Sequence, residues 1–439
     1  MKFRIAGALA LVAALSGCSL FHKGNNRPKT AVLGERIPVL SAENDAIAEP
    51  TLADVAVQVP APAVNADWTQ PGGNPAKSFG NPALGAELSR AWSTSIPKST
   101  PRQRYGGAPV IADGRIYVMD AQAVIHAFSL ADGKRLWSIA IASGKKYRHS
   151  FFGGGVSYDD GRLYATDGLG DAVALEAATG KEVWRKRPGG PLRGAPTIAG
   201  GNVYVVSQDN QLFALRSDTG ETLWTDSATL VTAGVYGVAA PAVAQGTVVA
   251  GFSSGELSAL RYENGRVVWQ DQLSRTSIST AVASISDIDA SPVIDAGKVY
   301  AIGQGGRMVA MDLVGGQRIW EINVAGIDTP WLAGDWIFVV TDEAKLMCIQ
   351  RTTGKIRWIT QLQHWTSKSH NTPIQWSGPV LAGGRLVVVN DRGLMVDVAV
   401  ADGKIGTTVK AGKSFARAPV VANNMLVLLD EKGTLTAWR

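Results

Sequence analysis

Short apolar runs alternate with turn residues through most of the chain. In 195–226 the runs 196–199, 203–207, 212–215 and 222–225 are rich in β-branched and aromatic residues. Between them stand Gly200-Gly201-Asn202, Gln208-Asp209-Asn210 and Asp218-Thr219-Gly220. Such runs bounded by turn residues predict strands joined by hairpins, so one unit is a four-stranded antiparallel sheet. Helix competes poorly, because glycine, asparagine and aspartate recur roughly every six to nine residues, too often for an uninterrupted helix.

The unit repeats. Trp137, Trp184, Trp224, Trp269, Trp320 and Trp358 each follow a glycine by four positions, at Gly133, Gly180, Gly220, Gly265, Gly316 and Gly354. A period of roughly 40 to 50 residues belongs to solenoids and propellers, whose units bury their faces on one another. First strands begin near Pro109, Val156, Pro196, Pro241, Pro292, Pro330, Pro379 and Pro419, and the eighth unit stops at Trp438-Arg439 after its third strand. Upstream, 88–96 reads as an orphan fourth strand with Trp92 in the usual place. One missing strand and one spare predict an all-β, eight-bladed β-propeller closed by its N-terminal strand, with few free sheet edges. In the seventh unit Gly406-Thr407 replaces the tryptophan, which predicts different packing of that outer strand.

Ahead of the ring, Lys2 and Arg4 precede the apolar stretch 5–15 and the sequence Leu15-Ser16-Gly17-Cys18. A positive start, a short apolar core and small residues predict an export signal over 1–17. Its ending resembles the lipobox of bacterial lipoproteins, which implies cleavage before Cys18, lipidation of that cysteine and, with Ser19 following, the outer membrane. Residues 18–66 carry Pro28, Pro38, Pro50, Pro60 and Pro62 without periodicity and are expected to form an extended linker. The ring is assigned to 67–439. Stretched, the linker spans roughly 150 Å at about 3.3 Å per residue. Cys348 is then alone between Met347 and Ile349, a small buried hydrophobe.

Loss of Lys2 and Arg4 lowers the formal charge from +6 by two, to +4. The short basic clusters around Lys145 and Arg185 do not make a nucleic-acid face. No enzyme motif stands in its required context. Gly251-Phe-Ser253-Ser-Gly255 falls at a predicted hairpin, whereas the hydrolase motif needs a strand-to-helix elbow. His364 and His370 share a loop without zinc-site spacing. No cofactor, metal or catalytic residue is expected.

The turns between first and second and between third and fourth strands are short. The connections on the other end, including 142–154, 226–239, 273–291 and 361–378, are long and diverse, and loops of that kind on a rigid scaffold carry binding. The repeat resembles that of the PQQ-dependent quinoprotein dehydrogenases in scaffold, but this chain lacks their adjacent cysteines; a periplasmic enzyme of that type is the alternative reading. Several features together resemble the BamB family, lipoproteins of the outer-membrane β-barrel assembly machine. They are the lipobox, the Trp-marked units, Asn65-Ala-Asp-Trp68-Thr-Gln-Pro71-Gly-Gly-Asn74, Leu192-Arg193-Gly194-x-Pro196 and Ser286-Asp287-Ile-Asp289-x-x-Pro292.

The resemblance implies a non-enzymatic scaffold on the periplasmic face of the outer membrane. Its partners would be the periplasmic domains of BamA, other subunits of the machine and nascent β-barrel proteins. It assigns BamA contact to Leu192, Arg193, Asp287 and Asp289. In chemical terms Arg193 offers a donor fork, the aspartates acceptors and Leu192 an apolar anchor. Equally, the aspartates could cap turns and Arg193 could bridge blades. If the four face a partner, Arg193→Glu or Asp289→Arg should weaken BamA co-purification and spare thermal unfolding.

Overall fold

Tight turns fix the strand lengths. In the computed structural model, which describes residues 46–142, 153–231, 239–273, 287–367 and 372–439, the chain forms eight four-stranded antiparallel sheets. Blade 1 comprises Val110–Ala112, Arg115–Met119, Val124–Ser129 and Arg135–Ala140. Blades 2 to 7 follow, opening at Gly154, Thr197, Ala242, Val293, Trp331 and Trp376. Blade 8 takes Val420–Ala422, Met425–Leu429 and Thr434–Trp438 from the C-terminus and Arg90–Ser95 as its outer strand. Trp92 pairs with Ala437 and Thr94 with Leu435. The ring therefore closes by the N-terminal strand, as the spare strand predicts. Cys18 and the rest of 1–45, with the signal and the first part of the linker, lie outside the described residues.

The Gly-x-x-x-Trp repeat is a latch between blades. Each of seven indole N–H groups donates 2.8–3.2 Å to a carbonyl of the next blade: Trp92 to Leu130, Trp137 to Ala177, Trp184 to Ser217, Trp224 to Tyr262, Trp269 to Leu313, Trp320 to Arg351 and Trp358 to Val400. The ring plane lies on the next blade's turn glycine. At Gly265 (φ +70°) an added Cβ would stand 2.6 Å from the Trp224 ring, so glycine is needed for both the turn and the approach.

Blade 7 has no latch, and blade 8 explains why. The receiving glycine always sits in the turn between third and fourth strands, and in blade 8 that connection is the chain break, where Arg439 and Ser89 exchange backbone hydrogen bonds of 2.9 and 3.0 Å. With no turn to cover, the strand Ile405–Lys410 runs almost wholly exposed.

Beneath the ring runs a strap that periodicity does not announce. From Asn65 to Pro82 the chain contacts the innermost strand, or in blade 7 the turn that follows it, of all eight blades in ring order. Asn65 Nδ2 donates to Val421 of blade 8 at 2.6 Å. Trp68 exchanges backbone bonds with Ile111 of blade 1, and the Thr69 carbonyl accepts from Tyr158 of blade 2. The Gln70 amide pairs with both the N–H and the carbonyl of Ile198 in blade 3. The carbonyls of Pro75 and Ala76 accept from Val243 and Ile294 of blades 4 and 5, and that of Pro82 from Gly383 of blade 7. Between them Gly80 accepts from the Trp331 indole of blade 6. All these contacts lie near the end of the channel where first strands turn into second strands. Residues 46–66, assigned to the linker by composition, are also docked: Ala48 bridges Ile356, Arg357 donates to the Val55 carbonyl and Leu52 is buried.

Candidate partner-binding face

Leu192 and Arg193 lie on the link from blade 2 to blade 3, and Asp287 and Asp289 on the link from blade 4 to blade 5. Both links enter the channel at the end opposite the strap. The Arg193 N–H donates to Val206 at 2.8 Å and its carbonyl accepts from Gly154 at 2.8 Å, which pins this stretch between blades. Leu192 bridges Ser207. On the other link Ile288, fully buried, donates to the Phe252 carbonyl at 3.2 Å, and the Asp287 carbonyl accepts from Gln304 at 2.9 Å.

Chain direction thus aims the charged groups at each other. Arg193 Nη2 lies 3.0 Å from both Asp287 Oδ1 and Asp289 Oδ1, across 94 and 96 positions of sequence. Leu192 and Asp287 are 0% exposed, Arg193 1% and Asp289 7%. The expectation of a donor fork presented to a partner is therefore not what the fold builds: the guanidinium joins two channel-end loops from inside, the blade-bridging role left open above. Substitutions here strike the core, so they are expected to lower thermal stability rather than spare it. Burial, with Asp287 beside it, pushes the Asp289 carboxyl up to about 7 against the pull of Arg193. Arg193 Nε and Nη1 and Asp289 Oδ2 meet no hydrogen-bond partner among the described residues. Buried groups of this kind ordinarily hold internal water.

Below this cluster a cavity of about 130 Å³ is lined by Trp68, Lys77, Asp289, Asp328, Trp331 and Arg417 among others. Lys77 donates to Thr197 Oγ1 at 3.0 Å, and desolvation lowers its amine to about 7. Desolvation likewise pushes Asp328 up to about 7. Lys77 is the strap's charged contribution to the cavity; it falls just past the Asn65–Asn74 motif, and nothing in the sequence signals it.

The cavity of about 130 Å³ is near the size that admits one benzene ring, and a second of about 440 Å³ shares Ile327 and Asp328 with it. No group of three or more His, Cys, Asp or Glu converges on a metal position among the described residues. Ser253 of the G-x-S-x-G string is a buried hairpin residue whose N–H binds Asn210 Oδ1 at 3.0 Å. Cys348 is buried, which raises its thiol pKa. His364 stacks on Trp365 at 4.4 Å, while His370 lies outside the described residues.

The comparisons with known proteins agree with one another. A sequence-family profile described as "Outer membrane protein assembly factor BamB" matches residues 121–360 and 362–438. Proteins of that name from Salmonella typhimurium and Escherichia coli K12 are each 28% identical, over 79% of this chain and 87% of theirs. Among solved structures, BamB from Moraxella catarrhalis superposes with a TM-score of 0.68 at 19% identity, over 80% of this chain and all of that one. A europium-containing methanol dehydrogenase reaches 0.67 at 14% identity, over 85% and 98%. At such identities these two likenesses speak for the fold alone.

Proposed function

The chain belongs to the BamB family of outer membrane protein assembly factors, and from that premise we propose a lipid-anchored, non-enzymatic scaffold that holds the periplasmic domains of BamA on its long-loop face. Cys18 carries the anchor, at the head of the linker assigned to residues 18–66. One observation carries the reading. The two motifs through which the family resemblance assigns partner contact, far apart in sequence, converge at 3.0 Å under one face. Leu192, Arg193, Asp287 and Asp289 serve that contact from beneath, by fixing where the long loops leave the ring.

Nascent β-barrel proteins have a place to dock on the periphery. The outer strands expose Leu136, Val183, Leu223, Ile319 and Ile405, each more than 40% accessible, along unpaired sheet edges. An extended segment can add to such an edge through backbone hydrogen bonds. Crosslinkers placed along these strands should capture a nascent barrel protein, and failure to do so at every position would remove this part of the reading.

The test of the whole is a pull-down from native envelopes in mild detergent with a C-terminally tagged chain. BamA is expected to come with it, along with other subunits of the machine. Recovery of a clean monomer would contradict the scaffold.

A further inference from the structure

Charge is distributed unequally between the two ends of the ring. At the turn end four cations of four blades have acids beside them: Lys134 lies 3.2 Å from Asp132, Arg216 2.7 Å from Asp218, Lys404 2.7 Å from Asp402 and Lys181 3.9 Å from Glu176, while Arg261 and Arg266 of blade 4 make no ion pair among the described residues. At the loop end over blades 7 and 8 the pattern reverses. Lys98, Arg102, Arg104, Lys413 and Lys432 are all exposed and make no ion pair among the described residues. The segments that carry them form one patch: Ser99 donates to the Glu431 carbonyl, Glu431 to Ser414, and Phe415 to Asn390. Arg392 and Lys410 are exposed at its edge.

The acids of this patch are occupied with holding its backbone. Asp430 Oδ1 accepts from the N–H groups of Lys432 and Thr434, and Asp430 Oδ2 from that of Lys413. Glu431 accepts from the Ser99 hydroxyl, and Asp391 stands beside Arg392. The acids at the turn end also accept from backbone N–H groups yet sit beside a cation, as Asp132 and Asp402 do; Asp430 and Glu431 make no ion pair among the described residues, and the five exposed cations outnumber the acids of the patch. The patch lies across the ring from the Arg193 cluster, which joins links around blades 3 to 5.

We propose that this sector is a second docking surface, which takes an acidic protein segment. A protein fits better than a lipid surface. No large exposed hydrophobic group lies within the patch, and interfacial binding needs apolar groups to insert. The proposal does not depend on the reading of the Arg193 face, since neither its residues nor its loops are shared.

The probe is a fluorescein-labelled oligoglutamate peptide, with anisotropy read on the full-length chain at low ionic strength, where surface charge is least screened. Wild-type chain should bind it, and Lys98→Glu/Arg102→Glu/Lys413→Glu/Lys432→Glu should bind about tenfold more weakly or worse. Lys134→Glu/Lys181→Glu/Arg216→Glu/Lys404→Glu makes the same change in net charge at the turn end and should keep wild-type affinity. Equal losses in both variants, or no binding by the wild type, would overturn the proposal. So would tighter binding to phosphatidylglycerol vesicles or to an oligonucleotide through the same four residues. All eight positions are exposed, so thermal unfolding of both variants should match the wild type and exclude misfolding as the cause.

Discussion

The two ends of the ring are built on different principles. At the turn end seven blades repeat one pair of tight turns, several cations sit beside acids, and the strap meets all eight blades in order. At the loop end no two links are alike, a buried arginine ties two of them together, and one sector carries unpaired cations. Repetition serves holding, and under the proposed function irregularity serves recognition, with the strap leaving only one end of the channel for that task.

The largest effect should come from inverting the buried charge. Arg193→Glu places three carboxylates together without a cation and should cost more than the about 3–5 kcal/mol typical of breaking a buried pair. Denaturant unfolding checks this, and a loss below about 1 kcal/mol would mean the guanidinium is not buried in solution.

Next comes the latch. Trp224→Ala, which removes both the ring over Gly265 and the hydrogen bond to Tyr262, should cost about 3–5 kcal/mol. The seam supplies the opposite test: Thr407→Trp restores the repeat in blade 7 but finds no turn in blade 8, so its effect should stay within about 0.5 kcal/mol. A gain of a full latch from that substitution would refute the explanation of the missing tryptophan.

Weaker still is one tie of the strap. Gln70→Ala leaves the buried N–H and carbonyl of Ile198 without their partner and should cost about 1–3 kcal/mol by the same measurement.

The smallest effect is in pH. Burial pushes the Asp328 and Asp289 carboxyls up to about 7 in the fold, against ordinary carboxyl values in the unfolded chain. Between about pH 4 and 7 the folded state therefore holds more protons, and stability falls as pH rises through that window. Asp328→Asn should flatten the fall; an unchanged slope would show that this carboxyl is solvated.

The ring was legible because it repeats. Glycine at a fixed distance before tryptophan reports a covalent turn and the ring that covers it, and even the defect at Gly406-Thr407 follows from where the chain is cut. The strap was opaque for the converse reason. Each of its residues meets a different blade, so Asn65, Gln70 and Pro75 share no period, and the docked stretch 46–66 reads as linker. In the partner site the motifs were visible, but not the burial: Arg193 and Asp289 look like surface polar residues until the folded links bring them to 3.0 Å, since loop sequences carry no signal of pairing across 96 positions.

Whether the buried cluster acts by shaping the loop face or by touching a partner is decided by removing all of it at once. Arg193→Met alone should lower stability and BamA retention together, because two buried carboxylates lose their cation. In Arg193→Met/Asp287→Asn/Asp289→Asn no charge remains to be compensated, so both stability and retention should recover toward wild type. Recovery of stability with BamA still lost would contradict this account and place those side chains in direct contact with the partner.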